Sequence, residues 1–167
     1  MRILKYIDKI SERTGIVAAW LVVPLMVVVV QEVLRRYVFN APTGWGYDTC
    51  WMLYGALFAI GGAYTLLHRR HVRIDVIHHL LPLRGRAIFD AVFYIVVFLP
   101  VMALLTVQGV KFAARAWATG EKLSTTVWFF PSAPIKTVIP LAFFLLGLQG
   151  VAELVRNFMI AKKGKKL

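Results

Sequence analysis

Few residues in this sequence are of types that carry out chemistry, and the histidines are the first group to consider. The four histidines share the one long polar stretch, residues 68–86: His68, His71, His78 and His79. A haem inside a membrane needs axial histidines on facing helices at matched depth, which a single stretch does not provide. We expect these histidines to contact lipid headgroups or a partner protein. The membrane anchor subunit of a redox complex remains an alternative.

Two glutamates lie beside apolar segments, where a carboxylate could carry a proton or an ion. Glu32 is followed one turn later by Arg35 and Arg36, and Glu153 is followed by Arg156. A carboxylate at membrane depth is costly to ionise and is therefore a functional candidate by default. Local ion pairs near helix ends account for both acids. An autonomous small four-helix multidrug exporter, the second alternative, would carry its acid nearer to the middle of the first helix.

The remaining reactive side chains do not form a catalytic group. Cys50 is the single cysteine, so this sequence has no internal disulfide, and we interpret the residue as a small apolar packing residue. No serine, cysteine or pair of carboxylates stands in a setting suited to hydrolysis. No Cys/His spacing resembles a metal finger. We therefore predict that the protein is not an enzyme and uses no cofactor.

Composition indicates that the whole chain belongs to a membrane. Of the 167 residues, 59% are hydrophobic and only 17% are charged, with a mean hydropathy of +0.69. Soluble domains have about 25% charged residues. The formal net charge of +12 could suggest nucleic acid, but the basic residues cluster at the ends of apolar runs, without interleaved stacking aromatics. We predict an integral membrane protein whose basic clusters contact anionic lipids, and no nucleic-acid partner.

Hydropathy predicts an all-α integral membrane protein with four transmembrane helices in a single membrane domain, residues 1–167. Each apolar run is long enough to cross a hydrocarbon core of about 30 Å. The predicted helices cover residues 15–36, 49–67, 87–110 and 135–158. The small residues of the second helix form one face that lets another helix approach closely: Gly55, Ala59, Gly62 and Ala63.

Shorter features connect these helices. Residues 1–14 and a segment before Pro82 have apolar residues on one helical face, which predicts short amphipathic helices at the membrane surface. Residues 36–48 are rich in turn residues and interfacial aromatics and predict a tight connection. Residues 111–134 predict the longest loop, and Pro100 predicts a kink in the third helix.

Basic residues predict how the helices are oriented. The two chain ends and residues 68–86 carry 14 of the 20 Lys and Arg residues, and the other two connections carry the remaining 6. Positive charge beside a transmembrane helix is retained on the cytoplasmic side. We therefore expect a multi-pass protein with both termini and the central loop in the cytoplasm.

Three short motifs occur in order along the chain. RYVFNAP fills residues 36–42 with Trp45 just beyond, HVRID fills residues 71–75 after the second helix, and LP at residues 81–82 precedes the third. Together with the four-helix layout, they resemble the small membrane subunit (DctQ type) of tripartite ATP-independent periplasmic (TRAP) transporters. Gly46, Tyr47 and Asp48 stand where much of the family has a serine and two acids. In these residues the chain is similar to the branch of the family that is associated with mannitol, 2-oxo acids, lactate or chloroaromatic acids.

The resemblance implies a complex in the bacterial inner membrane. A periplasmic solute-binding protein delivers an organic acid or similar solute to a large sodium-coupled elevator subunit, and the small subunit braces that large subunit. Three sets of contact residues follow as expectations. The binding protein would meet Arg35, Arg36, Trp45, Asp48, Lys111 and Arg115. The large subunit would pack on Gly55, Ala59, Gly62 and Ala63. The motif of the cytoplasmic loop comprises His71, Arg73, Asp75 and Pro82.

Overall fold

The computed structural model describes residues 2–68, 82–123 and 129–163, and these residues form four long helices. The first, α1, comprises Arg2–Trp20 and Val22–Tyr37 with Leu21 as a turn between them. The second, α2, is Gly46–Leu67. The third, α3, comprises Leu83–Phe93, a π-helical segment Tyr94–Phe98, and Leu99–Thr119. The fourth, α4, is Ala133–Lys163.

All four helices are long and apolar enough to cross a membrane, which confirms the predicted all-α class with four candidate spans. Each is longer than the apolar run that predicted it. The residues 1–14 expected on the membrane surface continue directly into the first span, as a helix that starts at Arg2. At about 1.5 Å per residue, α1 is far longer than the hydrocarbon core is thick. Its first turns therefore reach beyond the hydrocarbon core, and the surface position expected for residues 1–14 stays a prediction.

The helix α3 also extends into the stretch predicted as loop. It continues to Thr119 and ends where Gly120 adopts a left-handed conformation, with φ of 59°. A glycine is the usual residue at such a helix end. Residues 111–119 are too polar for an apolar run but contain good helix formers. Hydropathy therefore located the end of the apolar segment and not the end of the helix.

Prolines account for the irregularities along the helices. Pro24 has no amide hydrogen for the carbonyl of Trp20, and the helix is interrupted at the adjacent Leu21. The π-helical segment of α3 ends two residues before Pro100, the site predicted to disturb the helix. Single π-helical turns are a known response to such local disruption. Pro140 lies inside α4 and packs against Gly109 of α3.

The helix α4 lies at the centre of the fold. It packs against α2, α3 and the first half of α1, whereas the second half of α1 packs mainly on α2. In its most apolar stretch 39% of the residues are buried, against 6–11% in the other three helices. Glycines permit the closest approaches, since a Cβ at Gly15 would overlap the ring of Tyr64 and one at Gly150 would overlap Phe98. Few residues in the apolar stretches of α1, α2 and α3 are thus fully buried by the described parts of the chain.

Candidate functional site

Two polar ends and an outward apolar surface are the parts of this fold that could bind partners. We call the region of residues 2–15 and 149–163 the terminal end, because the first turns of α1 and the last turns of α4 meet there. We call the region of residues 32–48 and 111–136 the loop end, because it holds the described connections between helices.

At the loop end, Glu32 holds the connection between α1 and α2. Its carboxylate accepts a hydrogen bond from Arg36 at 2.8 Å, one from the backbone N–H of Thr43 at 3.3 Å, and one from the Thr43 hydroxyl. The Thr43 hydroxyl also accepts a bond from the N–H of Gly46, the first residue of α2, at 3.2 Å. A Cβ at Gly46 would lie 2.6 Å from the Glu32 carboxylate. The local ion pair expected for Glu32 is present, and the acid also fixes the turn.

The residues predicted to meet a binding protein differ in their surroundings around this turn. Arg35 is exposed and forms no ion pair with any described residue, whereas Arg36 is paired with Glu32. Trp45 is half-buried just before α2. Asp48 is only 3% exposed, in the first turn of α2, where a carboxylate is stabilised by the helix dipole. Asp48 is thus buried in this chain, and its contact with a docked protein stays a prediction.

Lys111 and Arg115 lie one turn apart near the end of α3, and both are exposed. Among the described residues neither has an ion-pair partner. The nearby Lys136 is engaged instead, at 2.5 Å from Glu121 and 4.1 Å from the centre of the Phe112 ring. The loop end therefore presents two adjacent cations on α3 that no described acid neutralises.

Hydrogen bonds fasten the described parts of the connection between α3 and α4 to the helices. Ser132 is fully buried, and both its N–H and its hydroxyl donate to the carbonyl of Glu121, at 2.9 and 3.0 Å. The indole N–H of Trp117 donates to the hydroxyl of Thr137 at 3.0 Å. These bonds join the described parts of the connection to α3 and α4, while Lys111 and Arg115 are exposed and form no ion pair with a described residue.

The terminal end contains a polar network between α1 and α4. The hydroxyl of Ser11 donates to the side-chain carbonyl of Gln149 at 2.8 Å, and the amide of Gln149 donates to Asp8 at 3.3 Å. Arg156 forms ion pairs with both Asp8 and Glu153. Ser11, Gln149 and Glu153 are at most 1% exposed. The network joins α1 to α4, and the residues that bond to each other across these two helices are more than 130 residues apart in sequence.

Only part of this network followed from local spacing in the sequence. The pair of Glu153 with Arg156 was predicted and is present. The contribution of Asp8 was missed, because nothing local relates it to α4. A signal existed: Asp8 and Ser11 share one face of α1, and Gln149 and Glu153 share one face of α4. Polar faces on helices at membrane depth satisfy each other across the helix interface.

The small-residue face of α2 packs largely inside this chain. A Cβ at Gly55 would lie 3.8 Å from Ile135, and one at Gly62 would lie 3.9 Å from Leu146, both on α4. Ala63 is fully buried, so it is not available to a partner helix. Gly55, Ala59 and Gly62 are half-buried. The periodicity correctly marked a packing face, and α4 covers much of it.

Of the predicted cytoplasmic-loop motif, the structure describes only Pro82, which is exposed and precedes α3. His71, Arg73 and Asp75, together with the short amphipathic helix predicted there, lie outside the described residues. His68 is the one described histidine, and its ring lies 4.3 Å from that of Tyr64.

Polar side chains of the spans do not gather into a solute site in the part of the chain that is described. Tyr54 is 53% exposed and packs on Phe58, with ring centres 4.7 Å apart. The Thr106 hydroxyl donates to the carbonyl of Met102 in its own helix, at 2.7 Å. Gln108 is exposed. Transport sites at membrane depth combine convergent polar groups with broken helices, and these residues lie on different surfaces.

Comparison with known proteins gives one match. The family model for the DctQ component of tripartite ATP-independent periplasmic transporters matches residues 25–159. These residues include most of the four helices and both connections at the loop end. No curated protein matches the chain.

Proposed function

Because this chain belongs to the DctQ family, it is the small component of a TRAP transporter, and we propose that its role is to brace the large membrane subunit. In this proposal the large subunit carries out sodium-coupled uptake of an organic acid or similar solute. A periplasmic binding protein delivers that solute. The family match supports neither the autonomous exporter nor the redox anchor.

The observation that carries the bracing role is the distribution of buried apolar surface. In the part of the chain that the structure describes, 39% of the residues in the apolar stretch of α4 are buried, whereas in α1, α2 and α3 only 6–11% are buried and the others are half-buried or exposed. The incompletely buried apolar sides of α1, α2 and α3 offer surfaces to another membrane protein. Thr106 bonds within its own helix and Ser11 and Gln149 join α1 to α4, while the amide nitrogen of the buried Asn157 has no hydrogen-bond partner among the described residues. These properties favour packing over solute binding.

We propose that the outward face of α2 contacts the large subunit. Trp51, Tyr54 and Phe58 are exposed on this face, and Gly61 follows at the same helical spacing. A Cβ at Gly61 would meet nothing within 4 Å. A glycine beside large aromatic side chains leaves a gap into which a partner helix can fit closely. This face is distinct from the one that Gly55 and Gly62 direct towards α4.

Gly61→Leu tests this contact, with Gly55→Leu as the matched comparison. The Leu side chain at residue 61 enters open space, so the isolated subunit should keep its thermal stability. Co-purification with the large subunit and uptake by the complex should fall together. Leu at residue 55 should destabilise the isolated subunit, because it crowds Ile135. If Gly61→Leu leaves assembly and uptake unchanged, the outward face of α2 is not the contact.

The orientation of the chain is also a proposal. The terminal end would face the cytoplasm of a bacterial cell and the loop end the periplasm, as the 14-to-6 distribution of basic residues favours. This orientation places Arg35, Lys111 and Arg115 on the side from which a periplasmic binding protein approaches. Their exposure and the absence of ion pairs to described residues support docking of an acidic surface. Trp45 and Arg36 stay secondary candidates for the same contact.

A further inference from the structure

A shallow and largely open depression, which we call the groove, lies along the second half of α1, on a side that the described residues leave uncovered. It has a volume of about 710 Å³ and is lined by Met26, Val27, Val30, Gln31, Leu34 and Arg35, with Phe39 at one end. Residues 26–39 correspond to about 20 Å along a helix. No residue of Val22–Tyr37 is buried. The groove is therefore a surface feature of one helix and not part of the contact between α1 and α2.

The lining changes in character along the groove. Met26, Val27 and Val30 are apolar and more than half exposed. Gln31 lies next, and its side chain makes no hydrogen bond with a described residue. Arg35 follows one turn later and makes no ion pair with a described residue, since Glu32 is occupied by Arg36 and Thr43. Apolar side chains are thus followed by an uncharged hydrogen-bonding group and then by a cation that no described acid neutralises, and the apolar Leu34 and Phe39 precede and follow this cation in sequence.

This order matches the order of groups in a phospholipid that stands in one leaflet. Its acyl chain lies deepest, its ester carbonyls lie above the chain, and its phosphate lies at the surface. We propose that the groove binds one acyl chain of an anionic phospholipid, with Gln31 donating to an ester carbonyl and Arg35 binding the phosphate. A headgroup of net negative charge neutralises Arg35, which a zwitterionic headgroup does not do.

The shape of the groove favours a lipid over a helix of another protein. Close packing of membrane helices relies on Gly, Ala, Ser or Thr at the contact. The groove is lined by Met, Val, Leu, Gln, Arg and Phe and contains none of those small residues. A flexible acyl chain conforms to such bulky side chains, whereas a helix backbone is held away by them. In this respect the groove differs from the face of α2 that carries Gly61.

Lipid retention measured on the small subunit alone tests the proposal. The full chain is purified in detergent with phosphatidylglycerol or phosphatidylcholine and analysed by native mass spectrometry. Phosphatidylglycerol should be retained preferentially. Arg35→Gln should weaken its retention about fivefold, the factor expected for loss of one basic contact to an anionic lipid surface. Val30→Trp should abolish retention by filling the groove.

Two control variants separate the site from general attraction to lipid. Arg115→Gln removes an unpaired cation at the same end on another helix, and Val29→Trp adds the same bulk beside the groove, on an exposed residue outside its lining. Both should retain phosphatidylglycerol as the unaltered protein does. All four substituted side chains are exposed, so a matched thermal unfolding temperature is expected and verifies folding.

Three outcomes would overturn the lipid site. Equal losses for Arg35→Gln and Arg115→Gln would indicate general electrostatic attraction. Equal retention of phosphatidylglycerol and phosphatidylcholine by the unaltered protein would show that Arg35 does not select an anionic headgroup. Absence of retained lipid, with Val30→Trp lowering co-purification with the large subunit, would assign the groove to a protein helix. The proposal does not rest on the bracing role, because retention is measured without the large subunit, so either proposal can fail while the other holds.

Discussion

The two ends of this molecule differ in how deeply their ion-paired side chains are buried. At the terminal end, Arg156 forms ion pairs with both Asp8 and Glu153, and Ser11 and Gln149 complete a largely buried network between α1 and α4. At the loop end, Arg35, Lys111 and Arg115 are exposed and have no ion pair with described residues. Buried polar groups that lose a partner destabilise a fold strongly, whereas exposed charges contribute little to it. The terminal end therefore holds the fold together, and the loop end remains available for binding.

The largest difference between the ends should appear when one guanidinium is removed from each. Arg156→Met removes the guanidinium that pairs with the buried Glu153 and with Asp8, and should destabilise the protein by about 3 kcal/mol. Arg115→Met at the loop end should change stability by less than about 0.5 kcal/mol. Denaturant unfolding of both variants in the same detergent measures the contrast. If both variants lose the same free energy of unfolding, the terminal network does not stabilise the fold more than the exposed cations do.

Charge reversal should show the opposite contrast. Lys111→Glu with Arg115→Glu should leave stability nearly unchanged but slow binding-protein-dependent uptake about tenfold at low salt, because complementary charge raises association rates. Added salt should reduce the difference in uptake rate between this variant and the unaltered complex. The matched control is Lys5→Glu with Lys9→Glu, an exposed pair at the same spacing at the terminal end. At equal amounts of inserted complex, unchanged uptake in the loop-end variant would assign those cations to membrane anchoring alone.

A smaller effect is expected from a single neutral bond in the terminal network. Ser11→Ala removes the donor to the buried Gln149 carbonyl and should cost about 1 kcal/mol. A double-mutant cycle with Gln149→Leu isolates the coupling between the two side chains. Additive losses in that cycle would show that the hydrogen bond itself contributes nothing.

Hydropathy and spacing were sufficient for the parts of the fold that depend on local sequence. They identified four membrane-length helices, the disturbance near Pro100 and the local partners of Glu32 and Glu153. The helical extension over residues 111–119 was missed because hydropathy reports where apolar residues end. The helix itself ends at its C-cap, which is Gly120 in a left-handed conformation.

Contacts between distant segments were beyond the reach of the same reasoning. The face of α2 with Gly55 and Gly62 was correctly seen as a packing surface, but periodicity does not say which helix covers it. Asp48 appeared suited to docking because its type is polar, yet its position in the first turn of α2 leaves it buried. The pairing of Asp8 with Arg156 joins the two ends of the chain. These features depend on tertiary packing, which a single sequence encodes only indirectly.

Reconstitution tests the bracing role most directly. Proteoliposomes would contain the small subunit, the large subunit or both, with an inward sodium gradient, the binding protein outside, and the labelled solute that this binding protein carries. Uptake should occur only when both subunits are present, and the small subunit alone should give the background of empty liposomes. Sodium-driven uptake by the small subunit alone would contradict the account, and so would full uptake by the large subunit without it.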